Sequence, residues 1–204
     1  MEQGLSGGER DALLRVARAS IRDVLFADGS LPEALTEAEA FPALAALGAC
    51  FVTLKCSDAA GESGEPRLRG CIGTLAAREP LFRSVASNAR QAAFHDPRFP
   101  ALAAVEFPRV TLSISVLGNP TPIAGPEEIV IGRDGVILEK GSFRSVFLPE
   151  VAVEQGWDRE TLLAYLARKA GLPRDGWHGA RLLTFRTESF GPRGEEDEKG
   201  TDKV

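Results

Sequence analysis

The residues best suited to chemistry in this 204-residue chain sit in one short stretch, Leu68-Arg69-Gly70-Cys71-Ile72-Gly73. If that stretch is extended, alternation puts Arg69, Cys71 and Gly73 on one face and Leu68, Gly70 and Ile72 on the other. A guanidinium beside a thiol favours the thiolate, which is how proteins make cysteine reactive. Glycine weakens a strand, so Gly70 and Gly73 around one cysteine suggest a bulge or a close approach by another group, a ligand among the options. The competing reading is a packed, unreactive Cys71, since free cysteine usually behaves as a small hydrophobe.

A second polar group follows at His95-Asp96-Pro97-Arg98-Phe99. Cys71 and His95 would serve as nucleophile and base, with Asp96 as the orienting carboxylate. Adjacent residues rarely aim at each other, however, so Asp96 paired with Arg98 across the turn is the favoured arrangement. Just upstream, Arg83, Ser87, Arg90 and Phe94 recur at helical spacings of three and four. They form either a solvated helix face or a wall facing an anion. No metal or cofactor is expected. The two histidines, His95 and His178, have no neighbouring His or Cys at ligand spacing, and Cys50 and Cys56 stand too far apart for a usual chelate.

These residues must be positioned by an ordinary globular chain. Hydrophobic residues make up 44% and charged residues 26%, enough to bury a core without disulfide or metal staples. A net charge of −5 argues against nucleic acid or a membrane surface held by a general basic field. The first residues lack the basic and apolar regions of a signal peptide, and no uncharged apolar run approaches the roughly 18–20 residues of a membrane span. The three cysteines show no framework spacing, so they read as reduced thiols in a cytoplasmic protein.

The elements follow from periodicity. Ser6 and Glu9 form a capping box before a helix whose buried stripe is Leu13, Ala17, Ile21, Val24 and Leu25. Cys50 to Cys56 reads as a strand, Ser57 to Pro66 as an exposed loop, and Arg67 to Leu75 as the returning strand. Pro80 opens a helix that runs to Phe94 and stops at Pro97 and Pro100. Val110 to Leu117 alternates cleanly as a strand. Residues 129–131 and 136–138 flank Gly132-Arg133-Asp134-Gly135, a hairpin signal ending in Asp-Gly. Another short strand spans Arg144 to Leu148. Asp158 caps a helix ending at Gly171, Trp157 packs the core, and Arg181 to Arg186 is the last strand. Short hairpins predict an α+β fold with a mainly antiparallel sheet flanked by helices. A single domain over 1–190 is expected, followed by a disordered charged tail over 191–204.

Three segments together resemble the AMMECR-one domain family, protein A of the AmmeMemoRadiSam system. They are Leu-Arg-Gly-Cys-Ile-Gly at 68–73, Ala-Ala-Phe-His-Asp-Pro-Arg-Phe-Pro at 92–100 and Leu-Pro-Glu-Val-Ala-Val-Glu-Gln-Gly-Trp-Asp at 148–158. Arg-Lys-Ala-Gly-Leu-Pro at 168–173 also fits. The resemblance implies a larger lobe holding both termini, a smaller lobe, and the Arg69–Cys71 stretch near a cleft between them. It carries over Arg69, Gly70, Cys71, Gly73, Asp96 and Arg98 as a site, and a Memo-like protein and a radical-SAM enzyme as partners. It does not deliver a reaction. The chain departs from the family pattern at Glu150, where glutamine is common, and at Ala167, where cysteine often precedes Arg-Lys-Ala-Gly. His95 falls at a variable place.

Two functions compete. In one, the protein binds or transforms a small anionic metabolite, with Cys71 as nucleophile or polar anchor and Arg69 and Arg98 orienting the charge. In the other, it is a non-catalytic adaptor that docks a partner on the same surface. A third reading makes the glycine-rich motif purely structural.

Overall fold

The computed structural model describes residues 4–57 and 66–191. Six α-helices and eight strands are formed there. In chain order they are α1 (Gly7–Phe26), α2 (Ser30–Glu39), α3 (Pro42–Ala45), β1 (Ala49–Cys56), β2 (Arg67–Gly73), α4 (Leu81–Phe94), β3 (Val110–Leu117) and β4 (Thr121–Pro122), then β5 (Gly135–Lys140), β6 (Phe143–Phe147), α5 (Pro149–Glu154), α6 (Arg159–Lys169), β7 (Arg181–Phe185) and β8 (Thr187–Phe190). The strands make two four-stranded sheets, ordered β2-β1-β3-β8 and β4-β7-β5-β6. The fold is α+β with antiparallel pairing, as expected, but divided between two sheets. The chain clusters into two compact units, Leu117–Glu188 and the segments before and after it.

In the unit that carries the sequence motif, α1 starts as its capping box dictates. Ser6 N–H donates to Glu9 Oε2 at 2.7 Å, and Glu9 N–H donates back to Ser6 Oγ. Leu13, Ala17 and Ile21 are buried as predicted, whereas Val24 is 46% exposed. Its neighbour α4 buries Leu81, Val85, Ala89 and Ala92, along with Phe82. Burial of each large side chain there contributes about 1.5–3 kcal/mol. Ser20 Oγ on α1 donates to the Ala86 carbonyl of α4 at 2.7 Å, so the two helices are also pinned by a buried hydrogen bond. Both helices share their core with Cys50, Val52 and Leu54 of β1 and with Val110, Leu112, Ile114 and Val116 of β3.

The Leu117–Glu188 unit buries both faces of β5. Val136 and Leu138 pack with Leu162, Leu163 and Leu166 of α6, while Ile137 packs with Leu183 and Phe185 of β7. Trp157 joins that core, stacked on Tyr165 at 4.3 Å between ring centres. Ala167 is fully buried in the same core and Glu150 is exposed, so the two departures from the family pattern fall on opposite kinds of surroundings.

The hairpin expected across Gly132-Arg133-Asp134-Gly135 does not form, and no strand covers residues 129–131. Residues 130–134 instead close a helical turn, with the Asp134 N–H bonded to the Val130 carbonyl at 3.0 Å and the Asp134 carboxylate accepting from Val130 N–H at 2.9 Å. A carboxylate that satisfies its own turn's backbone donor removes that segment from strand pairing. The real hairpin joins β5 to β6, paired from Val136↔Phe147 to Lys140↔Phe143. It turns through Gly141, whose φ of 60° a side chain would strain. Helices α2, α3 and α5 and strands β4 and β8 have no counterpart in the periodicity reading. Most of the loop expected from Ser57 to Pro66, and the charged tail except Gly191, lie outside the described residues.

Candidate functional site

The site is built where β2 crosses the C-terminal end of α4. Register runs Leu54↔Gly70 and then Lys55↔Leu68, so Arg69 occupies a bulge with no partner opposite. The glycines fit this crossing. A Cβ on Gly70 would lie 2.1 Å from the Ala92 carbonyl oxygen, so the backbone of α4 itself makes the close approach. Gly73 faces the Phe51 ring in the same manner, at 2.3 Å.

The Arg69 guanidinium is taken up by groups other than the thiol. Its Nε and Nη2 clamp Glu106 at 2.8 and 3.0 Å, and Nη1 and Nη2 donate to the Pro100 and Ala101 carbonyls. Arg69 therefore ties the 99–106 segment to β2. Its guanidinium holds the Glu106 carboxyl below the usual range, and the Glu106 contact raises Arg69 in turn. Glu106 was not singled out from sequence, since a partner 37 residues away leaves no local signal.

Arg98 takes the place at Cys71 that alternation gave to Arg69. Asp96, buried to 3% exposure, organises it. The Asp96 carboxylate accepts from Cys71 N–H at 2.9 Å, from Arg98 N–H at 3.1 Å, and from Arg98 Nε and Nη2 at 2.9 and 2.7 Å. The Arg98 fork, followed by the two backbone donors, holds Asp96 far below the ordinary carboxylate range against the opposing cost of burial. The expected Asp96–Arg98 pair across the turn is thus present. Arg98 Nη2 also donates to the Cys71 carbonyl at 3.2 Å. Its guanidinium is raised mainly by Asp96, with a smaller contribution from the Cys71 sulfur.

Cys71 is half-buried, and its sulfur accepts the Thr53 hydroxyl from the paired position on β1 at 3.3 Å. Alternation along β1, with Cys50, Val52 and Leu54 inward, was enough to put Thr53 on the opposite face. Cys50 is fully buried against Ser84 and Asn88, and burial pushes its thiol up. Cys56 donates to the Ser57 carbonyl. His95 caps α4 and is exposed, with no hydrogen bond to Cys71, so a Cys71–His95–Asp96 triad is not assembled. Among the described residues no group of three or more His, Cys, Asp or Glu side chains is arranged to hold a metal ion, and no helix is long and apolar enough to cross a membrane.

Comparison with known proteins matches this architecture to one family. The AMMECR1 family model aligns with residues 14–190. A protein of Thermofilum pendens is 36% identical over 193 residues, covering 91% of this chain and 89% of that relative. A protein of Thermococcus gammatolerans is 44% identical over 130 residues, where the match spans 63% of the relative's own length. The crystal structure of protein PH0010 from Pyrococcus horikoshii superposes with a TM-score of 0.72 at 32% identity, covering 92% of this chain and 93% of that one. With nearly the whole chain matched in sequence and in fold, this protein belongs to the AMMECR1 family.

Proposed function

We propose that this protein binds a small anionic metabolite at the Cys71–Arg98 corner, where Arg98 anchors the charge and Cys71 is the polar or nucleophilic contact. The observation that carries this reading is unspent bonding capacity. Arg98 commits Nε and Nη2 to Asp96 and the Cys71 carbonyl, while Nη1 has no acceptor among the described residues and the side chain is 54% exposed. A guanidinium already fixed by a buried carboxylate loses little rotamer freedom when it takes a ligand. Its free donors suit a carboxylate or phosphate.

Arg69, Gly70 and Gly73 shape the strand and its bulge in this reading, and Asp96 aims Arg98. The metabolite would be handled together with the Memo-like and radical-SAM proteins of the family's system. A cytoplasmic setting is supported by three cysteines that are all free.

Peptide mapping after iodoacetamide treatment of the native protein across a pH series tests the thiol. Cys71 should label in the folded state, increasingly with pH, while Cys50 stays protected. Labelling of Cys71 only after denaturation would defeat the proposal.

A further inference from the structure

A second concave surface lies in the same unit, and neither Cys71 nor Arg98 lines it. It is a groove of about 660 Å³ between the end of α1, α2 and α4. That size is within the range of small-molecule sites. Its apolar lining includes Val24, Leu31, Leu35 and Phe94, and its polar lining is Arg83, Ser87 and Arg90 with Gln91 and His95. No carboxylate lines it.

Arg83, Ser87 and Arg90 share one face of α4. Residues 83, 87 and 90 are four and three apart, so they stack along about 10 Å of helix. All three are exposed. Arg83 lies over the Phe82 ring, and neither Arg83 nor Arg90 has an acidic or carbonyl partner among the described residues. The contrast with Arg69 and Arg98 is direct, because both of those are spent largely on carboxylates. Two unpaired guanidiniums flanking a hydroxyl, with Phe94 at the end of the same helical face and aliphatic carbon from α1 and α2 beside them, complement a ligand that is anionic at one end and apolar at the other.

We infer that this groove binds an amphipathic organic anion, its phosphate or carboxylate head held by Arg83, Ser87 and Arg90 and its apolar body laid against Val24, Leu31, Leu35 and Phe94. The charged head supplies orientation through charge-assisted hydrogen bonds, and the apolar wall supplies affinity by burial. This site does not depend on Cys71 or Arg98, so either proposal can fail alone.

Calorimetric titration of the full chain with decyl phosphate, below its aggregation threshold, tests the inference. Decanol and inorganic phosphate serve as the neutral and body-less comparisons. Saturable binding of decyl phosphate is expected, at least about tenfold tighter than either comparison, since loss of head or body removes over a kilocalorie. Arg83→Gln and Arg90→Gln should each weaken it about fivefold, Leu35→Asp should weaken it more, and Arg144→Gln, in the other unit, should leave it unchanged. Circular dichroism verifies that each variant is folded. Equal affinity in the Arg83→Gln/Arg90→Gln double variant, or equal binding of decanol, would overturn the assignment. So would binding confined to anionic phospholipid vesicles, or a concentration-dependent dimer that leaves no binding of the free anion, since these give the groove to a membrane or to a second copy.

Discussion

Two buried aspartates in this protein are clamped in nearly the same way, and only one of them stands beside a thiol. Asp96 and Asp134 have side chains 1% and 5% exposed, each gripped by an arginine close in sequence, Arg98 or Arg133, that is itself about half exposed. Each carboxylate also accepts a backbone N–H from a residue other than its arginine, and each is held below the ordinary carboxylate range, chiefly by its arginine. The difference is where that N–H comes from. Asp134 takes it from Val130, four residues away, and closes its own turn. Asp96 takes it from Cys71, 25 residues away, and binds the end of α4 to β2. A buried ion pair with a depressed carboxylate is therefore a common structural fitting. What marks the Asp96 corner is the combination of a fixed guanidinium with free donors and a half-buried sulfur.

The largest expected effect concerns the crossing that makes this reach possible. Gly70→Ala puts a methyl group into the Ala92 carbonyl, which cannot yield without moving α4. Urea unfolding should show a loss of about 3 kcal/mol or more. Gly132→Ala, near the Asp134 turn, meets a positive φ of 81° and only a side-chain methyl. It should cost about 1–2 kcal/mol. Similar losses would mean that the crossing is no tighter than the local turn.

Next in size, Asp96→Ala and Asp134→Ala should each destabilise by about 2–3 kcal/mol, as expected when charge-assisted hydrogen bonds are lost and a donor is stranded. Thermal melts should thus treat them alike. Only Asp96→Ala should alter the alkylation rate of Cys71, and an equal change in both variants would erase the distinction.

A smaller effect appears with pH. Both carboxylates ionise more readily in the folded chain than in the unfolded one, whose aspartates titrate near 3.9. The unfolded state therefore binds more protons in acid, and the stabilisation is present above about pH 4 and lost as pH falls toward the folded values. Stability differences between wild type and Asp96→Asn, from urea curves at successive pH values, should narrow between pH 6 and pH 2. Asp134→Asn should behave in the same way. A gap that widens in acid would reverse the assigned sign.

Much of this architecture was legible locally. The capping box at Ser6, the stripe on α4, the alternation of β3 and the Asp96–Arg98 pair all depend on neighbours within a few residues. The failures are non-local. Strict alternation offered Arg69 as the guanidinium for Cys71, but Arg69, at the Leu54/Lys55 irregularity, is bonded to Glu106, and it is Arg98 that bonds the Cys71 carbonyl. Glycine spacing announced a close approach at Gly70, and only tertiary packing shows that the approaching group is the Ala92 carbonyl. The Asp134-Gly135 turn misled for the opposite reason. Its sequence suits a hairpin, yet a side chain that satisfies Val130 N–H makes a helical turn the better local solution.

The most direct test compares two alkylating agents that differ in charge. Rates of Cys71 modification by iodoacetate and by iodoacetamide are measured on the native protein, with the urea-unfolded chain as reference. An anion anchored by Arg98 should raise the iodoacetate-to-iodoacetamide ratio about fivefold over the reference, the effect of roughly 1 kcal/mol of attraction. Arg98→Gln should return the ratio to the reference value. An unreactive native Cys71, or a ratio that Arg98→Gln leaves unchanged, would contradict the account.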